Sequence, residues 1–287
     1  MHRLFRLIVL VSVSILVLCA GFVRVQAEGT PMDLIVQADL AFMTRYVPED
    51  MNQAMSLYEA VLPDLDTLPV VMQAYVLNRL SQLCYEMTTF SAGDTPEDEA
   101  LFEKGKAYGL QSLRLNAQFA AQENDNFKNA LSCVTDAAAL HWTASNWGKV
   151  LGMNPLQGLI QQGSVLALFS RSIDVDPRYW GASASSSLGS LLVMLPGPLG
   201  GDDEAGLALI RSSIASDASY LSNRVILAQY WGFTYGYLGN LTGIRDADLI
   251  ERELGIVLDA DIGDWPFWNR NAKRLAQELL DQLHAME

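Results

Sequence analysis

Histidine, tryptophan and asparagine crowd into one short stretch, Ala139-Leu140-His141-Trp142-Thr143-Ala144-Ser145-Asn146-Trp147-Gly148-Lys149. An imidazole can shuttle protons near neutral pH or ligate a metal. For catalysis it needs a nucleophile or carboxylate partner, and a metal needs further ligands. Apart from His2, the only other histidine is His284, and the pair makes no His-Glu-x-x-His arrangement. His141 is therefore expected as a buried, hydrogen-bonded side chain. At helical spacing Asn146 falls i+4 from Trp142 and can sit beside it, whereas Trp147, at i+5, turns toward another side. Two readings of His141, Trp142, Asn146 and Trp147 stay open: a cavity wall with polar handles, or core packing.

A second group of rings is Tyr230, Trp231, Phe233, Tyr235 and Tyr237, with Trp265, Phe267 and Trp268 forming a third. Read as one helix, the run at 230–237 cannot aim every ring into one seam. Tyr230, Trp231 and Tyr235 are thus candidates for a ligand or partner surface, the alternative again being core. Other motifs fail on their chemistry. Gly200-Gly201 is followed by three acids and by no Lys-Ser/Thr, so it is no phosphate loop. Asp259, Asp261 and Asp264 recede from a calcium loop, because Gly263 comes one place early and Arg270 stands where the closing Glu belongs. No serine sits in a Gly-x-Ser-x-Gly elbow. No catalytic group, metal or cofactor is expected. Cys84 and Cys133 fall in apolar helical patterns and read either as free thiols or as a disulfide pair.

The elements that position these residues are helices. Period-2 β-branched runs are almost absent, while Ala, Leu, Gln, Glu and Met recur at helical spacing. The pattern predicts helices near 33–46, 50–62, 68–88, 97–116, 125–151, 156–174, 178–195, 202–216, 219–238, 246–258 and 266–285. Thr95-Pro96-Glu97-Asp98 supplies a cap, a proline for the first helical position and acids for the first turn. Pro196-Gly197-Pro198-Leu199-Gly200-Gly201 is a hard stop, after which Asp202-Asp203-Glu204 opens the next helix.

Tetratricopeptide-like helix pairs carry small residues at i, i+4 and i+7 where two helices touch. Four segments fit: Ala54, Tyr58, Val61; Gly105, Gly109, Ser112; Val165, Phe169, Ser172; and Ala205, Leu209, Ser212. Their starts are 51, 60 and 40 residues apart, against a repeat of about 34. The expected fold is therefore all-α, a degenerate tetratricopeptide-like helical hairpin array, or α-solenoid, with a generic helical bundle as the alternative.

Charge and export narrow the class. Arg3 and Arg6 precede an apolar run, Leu7 to Leu18, which is the layout of an export signal. Cleavage after Ala27, lipidation at Cys19 and an uncleaved anchor all remain readings of it. The expected organisation is a signal peptide over 1–27 and one helical-repeat domain over 28–287, placed in the periplasm or cell envelope. The whole chain carries −14. Loss of 1–27 removes three positive charges and no acid, leaving −17, a surface that repels phosphate backbones and excludes nucleic acid as a partner.

Two stretches are more specific than periodicity. His141 to Trp147 is a tryptophan-bearing helix, and Leu199-Gly200-Gly201-Asp202 follows a proline turn and opens a later helix. Both resemble the T-component family of TRAP transporters, the carriers that depend on a solute-binding protein. The resemblance extends over roughly residues 33–285. It implies a tetratricopeptide-like fold outside the cytoplasmic membrane and docking to the transporter's solute-binding protein. It also implies a homo-oligomer, expected as a trimer, and a hydrophobic cavity that helps pass an apolar small molecule.

Overall fold

The computed structural model describes residues 29–91, 95–236 and 240–286. The export segment, Cys19 and Tyr237 lie outside them. Local chemistry sets the helix starts. Thr30 caps α1 (Pro31–Met43) reciprocally: its hydroxyl accepts the Asp33 N–H at 3.3 Å, and the Asp33 carboxylate accepts the Thr30 N–H at 2.9 Å. Thr95 and Asp98 repeat this at α4 (Pro96–Arg114), as their spacing predicts. Pro48 opens α2 (Pro48–Val61), where a missing N–H costs nothing. Asn116, Asp136, Asp202 and Asp246 cap α5 (Ala117–Ala130), α6 (Ala137–Met153), α9 (Asp203–Ser216) and α11 (Ala247–Asp259). The remaining helices are α3 (Val70–Met87), α7 (Pro155–Val175), α8 (Tyr179–Met194), α10 (Ser222–Leu227) and α12 (Pro266–Met286).

Consecutive helices fold back on one another as antiparallel pairs, so the all-α hairpin array expected from the sequence is the observed fold. Three of the four small-residue faces are the packed ones: Ala54, Tyr58 and Val61 on α2, Gly105, Gly109 and Ser112 on α4, and Val165, Phe169 and Ser172 on α7 are all buried. The fourth is displaced by one residue. On α9 the packed face is Gly206, Ile210 and Ser213, while Ser212 faces solvent. The shift follows from the closeness of α8. A Cβ on Gly206 would lie 2.6 Å from the Gly189 carbonyl oxygen, and one on Gly189 would lie 2.6 Å from that of Gly206. Only glycine fits on either side of that seam.

The two ends of the array meet. Arg45 at the end of the first helix donates from Nε to Glu86 Oε2 at 2.6 Å, and Gln82 and Trp268 donate to Glu86 Oε1 at 2.8 and 3.0 Å. Around this node the rings of Tyr85, Trp142, Trp180, Tyr220, Trp265 and Trp268 stack edge and face. Trp180, Gly181 and Ala182 enter α8 with φ of 50°, 64° and 58°. A left-handed turn costs about 1–2 kcal/mol at each non-glycine residue. Gly181 cannot be replaced, because its Cβ would fall 2.5 Å from the Tyr220 ring. The Trp180 ring, held 5.4 Å from both Trp142 and Trp265, offsets the strain.

Two expected helices are corrected. The span 125–151 is not continuous: α5 ends at Ala130, a 3-10 turn covers Leu131–Cys133, and α6 starts at its Asp136 cap. The span 219–238 is not an aromatic helix. α10 ends at Leu227, one π turn runs over Ala228–Gly232, and β1 (Phe233–Tyr235) pairs antiparallel with β2 (Leu241–Ile244). A Cβ on Gly232 would lie 2.3 Å from Ile250 Cγ1, so the chain presses on α11 there. The Gly232 carbonyl accepts the Arg245 and Asp246 N–H groups instead of a helical one. Cys84 is buried and Cys133 half-buried, and both are free thiols.

The same close approach governs α4 and α6, where a Cβ on Gly109 would meet the Thr143 Oγ1 at 2.1 Å and its Cα at 3.0 Å. Gly109→Ala and Gly206→Ala are each expected to lower unfolding stability by about 1–3 kcal/mol in urea titration, although alanine is the better helix former.

Candidate functional site

A hollow of about 230 Å³ opens between α6, α7, the end of α8 and the proline turn that follows it. Its emptiness has a local cause. Gly148 and Gly152 lie one turn apart on α6, and Gly158 faces them from α7. A Cβ on Gly152 would have no neighbour within 4 Å, and one on Gly148 would touch Val165 at an ordinary 3.5 Å. Gly152 leaves space, whereas Gly158, whose Cβ would lie 3.3 Å from the Leu151 carbonyl oxygen, permits contact, as glycine does at the α4–α6 and α8–α9 seams. The far wall is built by Met194, Leu195 and Leu199. Leu199 is placed by the turn Pro196–Gly201, which closes on itself through the Gly201 N–H to Pro196 carbonyl bond at 3.1 Å.

The lining is apolar apart from Gln162, whose amide donates to the Leu199 carbonyl at 3.2 Å. A cleft with so few polar groups recognises shape and apolar surface rather than charge. Its rim is unusual for a water-facing helix. Leu156 and Ile160, one turn apart on α7, are 80% and 84% exposed, and Leu159 between them is 45% exposed while lining the hollow. Exposed leucine and isoleucine side chains grouped at the mouth of an apolar hollow mark a contact surface.

The residues singled out by sequence are placed elsewhere. His141, Trp142 and Asn146 are buried. His141 Nε2 lies 3.3 Å from Ser183 Oγ, and its ring packs on Trp142, Phe169 and Tyr179. Burial pushes its pKa down to about 3. Trp142 donates from Nε1 to the Tyr179 hydroxyl at 2.9 Å. Asn146 donates to the Trp142 and Ser81 carbonyls, both at 2.9 Å, and so sits beside Trp142 as its spacing implies. Trp147 turns to the other side, packs on Phe127 and donates to Gln161 Oε1 at 2.9 Å. It precedes Gly148, which lines the hollow, but none of the four lines it. Tyr230 and Tyr235 are half-buried with ring centres 6.1 Å apart, and Trp231 lies under the Arg245 guanidinium at 4.5 Å. The sequence reading does not include the hollow, for which Gly148, Gly152 and Gly158 amid leucines are the signal.

Among the described residues no three His, Cys, Asp or Glu side chains are grouped to hold a metal ion, and no helix is long and apolar enough to cross a membrane. What the fold and the hollow define is an array of helical hairpins built around an apolar cleft. The sequence model of the TRAP transporter T-component family matches residues 95–286, about two thirds of the chain, and the chain belongs to that family. No curated protein matches it.

Two measurements test this geometry. The His141 pKa is lower folded than unfolded, so the unfolded chain takes up the extra proton as pH falls below 6.5. Stability should therefore drop by about 2 kcal/mol between pH 7 and pH 5 from this residue, and the His141→Asn variant should show a correspondingly shallower pH dependence in urea titrations. Gly152→Ala enters open space in the last turn of α6 and is expected to raise stability by up to about 0.5 kcal/mol, opposite in sign to Gly109→Ala.

Proposed function

We propose that this chain is an exported accessory component of a TRAP-type solute transport system that docks on the solute-binding protein and shelters an apolar small molecule in the α6–α7–α8 cleft. The carrying observation is the coincidence of an apolar hollow with an exposed Leu156, Leu159 and Ile160 rim in a member of this family. A partner seated on that rim would remove the three side chains from water and cover the mouth in one step, so docking and ligand transfer would be one event. In this reading Trp147 supports the wall, and His141, Trp142 and Asn146 hold α6 rigidly against α3 and α8. Tyr230, Trp231 and Tyr235 form a smaller accessory contact at the hairpin. The protein works in the periplasm or envelope as a homo-oligomer, taken as a trimer.

A second reading, a general envelope scaffold for protein assembly, draws on an exposed apolar stripe on α1, formed by Met32, Val36, Leu40 and Met43. Affinity capture separates the two. The tagged chain should recover a TRAP-type solute-binding protein, and Leu156→Glu with Ile160→Glu should cut recovery about tenfold or more. Gly152→Leu should leave recovery intact while abolishing the fluorescence gain of N-phenylnaphthylamine in the cleft. Capture without any solute-binding protein, together with unchanged dye binding in Gly152→Leu, would overturn the transport reading.

A further inference from the structure

None of the residues lining the α6–α7–α8 cleft carries a charge, and Gln162 is the only one with a polar side chain. The Leu199 carbonyl can only accept, so the Gln162 amide nitrogen must face it, as it does at 3.2 Å. That bond settles which end of the amide is oxygen. It uses one of the two amide protons and neither lone pair of Oε1. Among the described residues no group donates to Gln162 Oε1. The side chain therefore offers the cleft an acceptor and one spare donor on a single planar group.

The backbone around the cleft is set against an anion. Leu191 and Met194 lie in the last turn of α8, and Leu151 and Gly152 in the last turn of α6. A helix C-terminus leaves carbonyls unpaired and carries partial negative charge. At α8 the Leu191 and Leu192 carbonyls accept the Leu195 and Asp202 N–H groups, both at 2.9 Å. The Val193 and Met194 carbonyls accept from no described backbone group. The start of α7 would favour an anion through its open N–H groups. Those belong to Leu156 and Gln157, and neither residue lines the cleft.

We propose that the cleft binds an uncharged aliphatic alcohol, its chain along the leucine walls and its hydroxyl on the Gln162 amide. The proposal rests on the reading of this cleft as a shelter for an apolar molecule and names that molecule's class. A hydroxyl both gives and takes hydrogen bonds, as the Gln162 amide does. A carboxylate only accepts, finds no cation in the lining and meets the negative ends of α6 and α8. An ammonium only donates, and it would be desolvated with no carboxylate in the lining to pair with. An ether or a hydrocarbon leaves Oε1 covered without a donor. Gln162 is thus the residue that sets specificity.

Displacement of N-phenylnaphthylamine from the full chain tests this, with 1-octanol, its isomer methyl heptyl ether, octanoate and octylammonium at neutral pH. The alcohol should displace the dye best. The ether, which has the same atoms but no donor, should be about fivefold weaker. Octanoate and octylammonium should each be about tenfold weaker or worse. In Gln162→Leu the alcohol should fall to the affinity of the ether, while the ether stays unchanged. Gln162 is half-buried, and the four-ligand ranking on the unaltered chain decides the class even if that variant unfolds. An ether equal to the alcohol would reduce the cleft to an apolar shape. A tighter octanoate or octylammonium would make it an ion site. An alcohol preference that survives in a folded Gln162→Leu would place the hydroxyl elsewhere. Each of these overturns the proposal and leaves the shelter reading standing, because the dye is still displaced. Dye binding that persists in Gly152→Leu overturns both.

Discussion

How close two helices come is the constraint on which the rest of this molecule depends, and glycine sets it in two opposite ways. At Gly109 against Thr143, and at Gly189 against Gly206, the missing side chain lets backbone approach backbone until no atom could be added. At Gly152 nothing lies within 4 Å of the missing side chain, and the space beside it becomes a cavity. The difference lies in what holds α7 away. Its contact with α6 is made further along, through Val165, Phe169 and Ser172 against the buried face of α6. On the α8 side the Gln162 amide ties α7 to the proline turn through the Leu199 carbonyl. The cleft is thus the part of a tightly seamed array where the seam stops.

An open mouth in a stack of short helices holds its shape only if the stack cannot flex. The Arg45–Glu86–Trp268 node supplies that rigidity. Burying two charges is costly, and removal of one partner of such a pair typically loses about 3–5 kcal/mol. Here both oxygens of Glu86 accept hydrogen bonds, Oε2 from Arg45 and Oε1 from Arg45, Gln82 and Trp268. The bond from Trp268 joins the last helix to the third across 182 residues of sequence. The family match begins at residue 95, yet the surrounding core runs from Leu34 to Trp268 without a break. The first three helices are therefore part of the packing that holds the matched region, and the array is fixed at both ends.

What the sequence made legible was local chemistry. Thr95 with Asp98, and Asp202 at its cap position, mark helix starts because their side chains bond to backbone N–H groups a few residues away. The break at 131–136 is masked because apolar spacing continues through Leu131 and Val134, and the Asp136 cap is a single residue followed at once by three alanines. The hairpin after Leu227 was hidden for a different reason. Tyr230, Trp231, Phe233 and Tyr235 satisfy helical and strand patterns alike, and Gly232 decides between them only through its contact with Ile250, which is distant in sequence. The α9 face was misread by one position because the partner glycine that chooses Gly206 sits on α8. For the same reason the cleft is only half legible: glycines amid leucines point to the place, but a glycine that admits a neighbour and a glycine that leaves a void look identical in sequence.

Irregular spacing raises a further problem, because apolar helix faces of unequal length can slide past one another. Buried asparagines answer it. Asn78 donates to Asp136 at 2.8 Å, Asn146 bonds Ser81, Asn223 donates to the Gly181 carbonyl at 2.8 Å, and Asn269 accepts the Leu221 N–H at 3.0 Å. Each pins one helix to another element at one register, since a shift of a single residue would leave a buried amide without its partner, at about 1–3 kcal/mol. A consensus repeat fixes its register by the identity of its units. This array, whose units differ in length, fixes it seam by seam with polar groups. Polar pairs at the seams cost some packing energy, and in return the array has one alignment in which its glycines either touch or leave the cleft.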